Sequence, residues 1–441
     1  MTAVARPSVI PKTRWVQLVL GVLSMILIAN MQYAWTLFVG PMRQAHGWDR
    51  AGIQWAFSIF IATETWITPF AGYAVDRLGP RAGVRLMVLL GGLLAGCGWV
   101  INSFATSLPM LYVGAAVSGL GAGGVYAACV GNAVRWFPDR RGLAVGVTAA
   151  GVGAGAALTV LPIQSVIAHY GYNAAFLWFG VGQGTILLIV SVALRGPDLV
   201  LVASAAIQQR LRQSQRSYSS LEMLGSPVFW LMYVMFVFDA ATGLMATAQL
   251  APIAKDFGFA DQQIFGTASV LSVALITDNI MNGLARPFFG GISDRVGREG
   301  TMALAFTLSF FAYAMLTFLG HSPWMFIISA GLIFFTWGEI FSLFPSLCTD
   351  TFGPKNAAAN ASLLYTAKGT AALLVPLANL LQGAAGRWEA VFAVAGNTSL
   401  LIAALAIMVL KPLRLWQLRR DAGAVDQEQL APPLPAGHVP G

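Results

Sequence analysis

Two basic residues stand inside long apolar runs of this sequence, where a fixed positive charge is costly. Arg286 lies in the run 264–291 and Lys368 in the run 357–382. An arginine or lysine at the bilayer centre costs about 2.5–3.5 kcal/mol on insertion scales, so such residues usually face the protein interior and have a partner. A guanidinium holds a carboxylate with two parallel hydrogen bonds, whereas an ammonium acts as a point charge. The pair therefore predicts a site for a small mono- or dicarboxylate.

Four acidic residues also fall within apolar runs and are candidates for charge pairing or proton coupling: Glu64, Asp239, Asp278 and Glu339. Glu339 is a candidate partner for Lys368. Asp278 lies about 80° around the helix axis from Arg286, which favours a shared cavity over a direct bond. Two alternatives stay open. Either the acids neutralise both cations and the substrate is uncharged, or one acid carries a proton in symport with a monocarboxylate.

Aromatic residues on several runs are predicted to complete the site: Tyr33, Trp35, Tyr126, Trp337 and Tyr365. Tyr365 precedes Lys368 by three residues, which places both on one face of a helix. A ring of aromatic groups forms a small, stiff chamber whose phenol and indole groups can donate hydrogen bonds to a carboxylate.

The elements that must position these residues are transmembrane helices. Of the 441 residues, 57% are hydrophobic and 10% are charged, and the mean hydropathy is +0.70; soluble domains carry about 25% charged residues. Crossing about 30 Å of hydrocarbon takes roughly 20 apolar residues. Such runs recur twelve times, at approximately 15–40, 51–75, 85–103, 107–132, 142–168, 173–194, 228–252, 264–291, 300–319, 323–348, 357–382 and 388–410. We therefore expect an all-α integral membrane protein with twelve transmembrane helices.

The distribution of positive charge predicts the orientation. If both termini are cytoplasmic, twenty of the 26 Lys and Arg residues lie in cytoplasmic segments and four in outer loops, and Arg286 and Lys368 remain within spans. This bias follows the positive-inside rule and explains most of the +8 net charge without a nucleic-acid partner. The prediction is a protein surrounded by lipid in the plasma membrane, which is the inner membrane in a Gram-negative bacterium.

The chain repeats a motif, G-x-x-x-D-R-x-G, after the second and eighth runs. Its copies at 72–79 and 290–297 are 218 residues apart, and other landmarks repeat in the same order. Parallel repeats of this kind predict two pseudo-symmetric six-helix halves. We expect an N-terminal half at 1–194, a cytoplasmic linker at 195–226, a C-terminal half at 227–410 and a disordered cytoplasmic tail at 411–441.

The repeated motif predicts a conformational latch between the halves. Its residues are Gly72, Asp76 and Arg77 in the first copy and Gly290, Asp294 and Arg295 in the second. The glycine permits close helix approach, and the charged pair can cap a facing helix end or pair across the halves.

This organisation resembles the major facilitator superfamily of secondary transporters, and within it the oxalate:formate antiporter family over nearly the whole chain. The resemblance is carried by Gln32-Tyr33-Ala34-Trp35, Arg135-Trp136-Phe137-Pro138-Asp139-Arg140-Arg141-Gly142, Arg286-Pro287-Phe288, Phe335-Thr336-Trp337-Gly338 and Ala367-Lys368.

The resemblance implies a function and several site roles. In that family the positions matching Arg286 and Lys368 bind the anionic substrate, and those matching Tyr33, Tyr126 and Trp337 line the chamber. Gln32 belongs to the same first-span string and joins the expected site. The sequence departs from the family in having Phe341 and Tyr365 where tyrosine and tryptophan are frequent, which alters the size and hydrogen bonding of the chamber.

These observations predict a secondary carrier for small organic anions, oxalate- or formate-like, that works by alternating access as an anion exchanger. The alternative is a proton-coupled monocarboxylate symporter, and a transporter-derived sensor is a third class. An enzyme is not expected, because the sequence lacks H-E-x-x-H, a phosphate-binding loop and an intramembrane histidine. No metal or cofactor is expected. The oligomeric state does not follow from the sequence, and we expect the monomer to function alone.

Overall fold

A computed structural model of the chain describes residues 12–79, 81–197, 205–214, 216–259, 262–265, 268–374 and 387–430, and it is helical through most of them. The N-terminal half consists of α1 (Arg14–Tyr33), α2 (Trp35–His46), α3 (Arg50–Arg77), α4 (Ala82–Ser103), α5 (Leu108–Trp136) and α6 (Arg141–Ala193). Together α1 and α2 form the first predicted span, interrupted at Ala34.

Helix α6 contains the fifth and sixth predicted spans. Its 53 residues would extend about 80 Å if straight, far more than one bilayer crossing. The chain turns at Gly171, whose φ of 86° lies in the left-handed region that glycine adopts without penalty. The two spans are therefore separated by a backbone break at one residue.

The linker contains α7 (Ala205–Leu211) and α8 (Ser220–Leu224), and the C-terminal half follows. It comprises α9 (Pro227–Asp256), strands β1 (Gln263–Phe265) and β2 (Ala268–Ser269), α10 (Val270–Val296), α11 (Arg298–Leu319), α12 (Pro323–Trp337), α13 (Ile340–Phe352), α14 (Ala357–Ala372), α15 (Trp388–Leu405), a π-helix (Ala406–Leu410) and α16 (Lys411–Leu430). The strands pair antiparallel, with Gln263 opposite Ser269. Residues 375–382 of the eleventh predicted span lie outside the described residues.

The outer surface of the bundle is apolar. Within the described ranges, eight helices or helix pairs have the length and composition to cross a membrane. Large hydrophobic side chains on these helices are exposed, among them Leu161, Val192, Phe318 and Met408. Apolar side chains that point outward suit contact with lipid tails, while the helical backbone satisfies its own hydrogen bonds.

The linker and α16 pack on the C-terminal half. The Tyr218 hydroxyl donates to the Asp421 carboxylate at 2.6 Å, and burial together with this hydrogen bond raises the pKa of Tyr218 to about 12. The buried Arg414 pairs with Glu299 at 2.7 Å and donates to the carbonyl oxygens of Leu211 and Arg212.

The structure thus differs from the predicted disordered tail over residues 411–430, which form α16. Arg414, which anchors this helix, is one of the twenty Lys and Arg residues that the orientation argument places in cytoplasmic segments. Residues 431–441 of that tail lie outside the described residues.

Candidate functional site

A chamber lies between the halves. Its lining comes from α1, α3, α5 and α6 of the first half and from α10, α13 and α14 of the second. The volume open to the centre of a water molecule is about 30 Å³, and one water needs roughly 10–15 Å³ on that measure. Six predicted ligands line it: Gln32, Tyr33, Tyr126, Arg286, Tyr365 and Lys368. The described chamber is therefore matched to a small molecule.

Arg286 is buried in the chamber wall without a carboxylate partner among the described residues. Its Nη1 donates to the Ala149 carbonyl oxygen at 2.7 Å, and its Nη2 donates to Asn282 Oδ1 at 2.8 Å. The Nε has no hydrogen-bond partner in the described structure, and Cζ lies 4.7 Å from the centre of the Phe341 ring. No carboxylate among the described residues thus neutralises the guanidinium, and its Nε edge can donate hydrogen bonds to a further ligand.

Lys368 has an acidic partner from the opposite half. Its Nζ lies 3.5 Å from Glu64 Oε2 and donates to the Tyr365 hydroxyl at 3.0 Å. The expectation that Glu339 would face Lys368 is therefore not met, because Glu64 on α3 occupies that place. An ammonium has three donors, and the described structure uses one of them in a hydrogen bond, so two remain for a further ligand.

Aromatic rings close the chamber between the halves. Tyr126 of α5 stacks on Tyr365 of α14, with ring centres 4.3 Å apart. The Tyr126 hydroxyl is buried and has no hydrogen-bond partner among the described residues. Arg286, Lys368 and Glu64 all lie within electrostatic range of this phenol. A donor without a partner is thus surrounded by the charged groups of the site.

The structure places Trp35 and Trp337 outside the chamber lining. The Trp35 ring contacts Phe57, with centres 6.3 Å apart. The Trp337 ring fills the space beside Gly243 of α9, where a side chain would collide with it, and reaches the chamber only through Phe341. The two tryptophans therefore pack against neighbouring helices, and neither lines the described chamber.

The remaining buried acids also lie away from the chamber lining. Asp239 and Glu339 are close enough for their charges to interact. Several oxygens of these acids have no hydrogen-bond partner in the described structure: Oδ2 of Asp239, both carboxylate oxygens of Glu339 and both of Asp278. Asp278 does not share the chamber with Arg286, whose nearest polar neighbour on α10 is Asn282.

The first latch copy connects the two halves at one end of the bundle, which we call the latch end and define by Asp76 and Asp294. The Asp76 carboxylate pairs with Arg135 and accepts a hydrogen bond of 2.7 Å from the Ala359 backbone N–H. That N–H belongs to the first turn of α14, where free amides and the helix dipole favour a negative charge. Gly72 packs against Ala358, whereas Arg77 is exposed and donates to Tyr73 of its own helix.

The second latch copy makes the equivalent contact with α6. The Asp294 carboxylate accepts hydrogen bonds from the N–H groups of Gly142 and Leu143 at 3.0 and 2.8 Å. Gly290 lies directly on the Gly142 carbonyl, and Arg295 is exposed. In both copies the glycine and the aspartate contact the opposite half of the protein, whereas the adjacent arginine is exposed.

A buried ion cluster at the latch end was missed by the sequence analysis. Asp350 of α13 pairs with Arg141 of α6 at 2.6 Å and with Arg298 of α11 at 2.8 Å, and all three side chains are buried. From the sequence, Arg141 and Arg298 count only among the twenty cytoplasmic Lys and Arg residues that predict the orientation. The available signal was an aspartate just beyond the tenth apolar run, which has no partner nearby in sequence.

Gly290→Ala is expected to lower transport at least tenfold. A β-carbon there would overlap the Gly142 carbonyl oxygen, so α6 and α10 must separate and the Asp294 hydrogen bonds break. Gly291→Ala is the matched control, because its β-carbon meets Leu143 Cδ1 at an ordinary 3.6 Å. Initial rates in reconstituted vesicles test the pair, and equal rates for the two variants would contradict the close-packing argument.

Comparison with known sequences decides the family. Residues 20–376 and 262–435 match the sequence profile of the Major Facilitator Superfamily. The chain belongs to the Major Facilitator Superfamily. It is similar to the oxalate:formate antiporter of Oxalobacter formigenes, with 33% identity over 90% of this chain and 91% of that protein. Monocarboxylate transporter 12-B of Danio rerio is 26% identical over 82% of this chain and 80% of its own length.

A solved structure supports the same fold. The crystal structure of the Major Facilitator Superfamily transporter FucP in the outward conformation superposes with a TM-score of 0.68, at 15% identity, over 90% of this chain and 100% of that chain. The predicted twelve-helix fold in two six-helix halves is confirmed. The chain is an integral membrane transporter of this superfamily and not an enzyme.

Proposed function

We propose that the protein carries small organic anions across the membrane by alternating access, as an exchanger of mono- or dicarboxylates of the size of formate and oxalate. The observation that carries this proposal is Arg286. It is a buried, permanently charged group that lines the chamber and has no carboxylate partner among the described residues. A buried charge without an opposite charge is costly. A transported anion would supply the missing charge.

The net charge of the chamber supports an anion over a neutral substrate. Two cations, Arg286 and Lys368, face one carboxylate, that of Glu64. When all three groups are ionised the chamber has a net charge of +1, and when Glu64 is protonated it has +2. The alternative in which acids neutralise both cations is disfavoured, because the structure pairs Lys368 alone with an acid.

The donors of the chamber suit a carboxylate. Arg286 can offer Nε and the neighbouring terminal nitrogen to two oxygens of one carboxylate, and a free donor of Lys368 can reach another oxygen. The Tyr126 hydroxyl has no hydrogen-bond partner among the described residues and adds a neutral donor for the substrate. The volume of about 30 Å³ favours substrates of a few heavy atoms.

The latch end accounts for one access state of the cycle. The contacts of Asp76, Asp294 and Asp350 hold the halves together there, so passage from the chamber toward that end is closed. In the other state these contacts must separate. From the distribution of Lys and Arg we place the latch end and both termini on the cytoplasmic side.

Similar proteins support the substrate class. One relative is named an oxalate:formate antiporter and others are named monocarboxylate transporters. Proton-coupled monocarboxylate symport is the second candidate function. It is favoured by the contact of Glu64 with Lys368, since a carboxylate in the chamber can accept a proton in exchange for its ion pair.

Reconstituted vesicles separate these candidates. With a panel of short mono- and dicarboxylates, an exchanger takes up labelled substrate into vesicles loaded with a countersubstrate. A proton symporter fills empty vesicles and acidifies their interior, which an entrapped pH dye reports. We expect rapid exchange of one or more short carboxylates. Absence of uptake across the whole panel under both conditions would refute carboxylate transport.

A further inference from the structure

Both cations of the chamber are bonded to the half of the protein to which they do not belong. Arg286 of α10 donates to the Ala149 carbonyl of α6, and Lys368 of α14 pairs with Glu64 of α3. Around them Tyr126 stacks on Tyr365 across the same boundary. The chamber groups are thus part of the contact between the halves as well as candidate ligands.

Closing two halves around a pair of cations needs a negative charge. Like charges in a site of low dielectric repel strongly, and each buried cation loses its hydration. A carrier whose chamber contains cations alone can therefore close only with an anionic substrate inside. Such a carrier exchanges substrates and does not return empty.

Glu64 changes this balance, because its carboxylate is part of the protein and is there with or without substrate. It is buried, lines the chamber and lies 3.5 Å from Lys368. Its Oε2 has no hydrogen-bond partner among the described residues, so charge alone holds the pair. Besides Lys368, the ionisable side chains that line the chamber with it are Arg286, Tyr33, Tyr126 and Tyr365. Tyr126 from α5 and Tyr365 from α14 lie within electrostatic range of its carboxylate.

We propose that Glu64 takes the place of the substrate carboxylate at Lys368 when the chamber contains no substrate, so that the halves can close and the carrier can reorient empty. Net movement of carboxylate down its electrochemical gradient then accompanies exchange, and exchange is not obligatory. This inference rests on the proposed carboxylate transport and adds how that transport is coupled. A bound substrate displaces Glu64 from Lys368, and the carboxylate returns when the substrate leaves.

The test compares two modes of transport in one preparation. Purified full-length protein is reconstituted into vesicles with K⁺ and valinomycin on both sides, so that no membrane potential opposes net anion entry. Labelled formate and labelled oxalate are offered either to vesicles loaded with the same unlabelled anion or to empty vesicles. Protein-free vesicles give the leak, which is subtracted from both rates.

The wild type is expected to show net uptake at a tenth or more of its exchange rate. This uptake does not acidify the vesicle interior, as an entrapped pH dye reports, whereas net uptake by proton symport would acidify it and overturn the inference. In Glu64→Gln, the ratio of net uptake to exchange is expected to fall at least tenfold. Glu64→Asp keeps the charge and is expected to retain net uptake within about threefold. The gel-filtration profile of each variant reports whether it is folded.

The outcomes separate the inference from the proposed function. Wild-type net uptake below a tenth of the exchange rate overturns the role of Glu64, whatever the variants do. A folded Glu64→Gln protein that loses both modes equally, or neither, also overturns it. Wild-type protein that neither exchanges nor accumulates any carboxylate overturns the proposed function and, with it, this inference.

Discussion

Arg286→Gln is expected to reduce carboxylate exchange at least twentyfold while the protein stays folded in the membrane. Glutamine removes both the positive charge of the guanidinium and its two parallel hydrogen-bond donors. No carboxylate among the described residues pairs with this charge. Losing one member of a buried charged hydrogen-bonded pair costs about 2–5 kcal/mol, and each 1.4 kcal/mol is a factor of ten in binding. Initial exchange rates, normalised to the protein reconstituted, measure the effect.

Two further variants show whether charge or geometry is responsible. Arg286→Lys keeps the charge but presents no planar fork, so we expect activity between those of wild type and Arg286→Gln. Arg419→Gln removes an exposed arginine of α16, far along the chain from the site, and should exchange at the wild-type rate. If Arg286→Gln exchanged at more than a third of the wild-type rate, the anion-binding role of Arg286 would be wrong.

Asp350→Asn is expected to weaken the closed latch end by about 3–5 kcal/mol, the usual cost of removing one partner from a buried ion pair. Arg141 would lose its ion pair with Asp350, and Arg298 would keep its ion pair with Asp294 but lose the one with Asp350. Because Arg141 and Asp350 belong to opposite halves, the loss acts on the equilibrium between access states as well as on folding. We expect a lower melting temperature in detergent and at least a tenfold lower exchange rate.

An exposed acid of linker helix α8 provides the control for this variant. Glu222 pairs with Arg216 at 2.8 Å, but both side chains are more than 40% exposed. Exposed pairs contribute about 0.2–1 kcal/mol, so Glu222→Gln should leave melting and exchange nearly unchanged. Equal melting temperatures for the Asp350 and Glu222 variants would contradict a structural role for the buried cluster.

The sequence predicted the parts of this molecule that are encoded locally. Three features can be recognised from short stretches of sequence. They are the apolar runs of membrane length, the G-x-x-x-D-R-x-G motif, and the cost of placing Arg286 or Lys368 in hydrocarbon. The structure lines one chamber with both cations and with four of the predicted polar and aromatic ligands. The latch glycines and aspartates likewise lie where the repeat placed them, between the halves.

Pairings between distant segments could not be predicted in the same way. Glu64 and Lys368 are 304 positions apart in the chain, and the sequence pointed to Glu339 instead as the partner of Lys368. Trp337 was expected in the chamber from its string of residues, but the ring orientation depends on Gly243 of another helix. Arg141 and Asp350 bond across 209 positions, and no local pattern distinguishes such arginines from those that merely set orientation.

The anchoring of α16 has a practical consequence for anyone who tags this carrier. Arg414 neutralises Glu299 and donates hydrogen bonds to the linker backbone at residues 211–212. Truncation before Lys411 would therefore leave the buried Glu299 carboxylate without its ion-pair partner and remove the hydrogen bonds that hold the linker. A fluorescent fusion or affinity handle attached beyond Leu430 preserves this anchor. One joined directly to the twelfth span does not, and low yields from such a fusion would reflect a missing arginine.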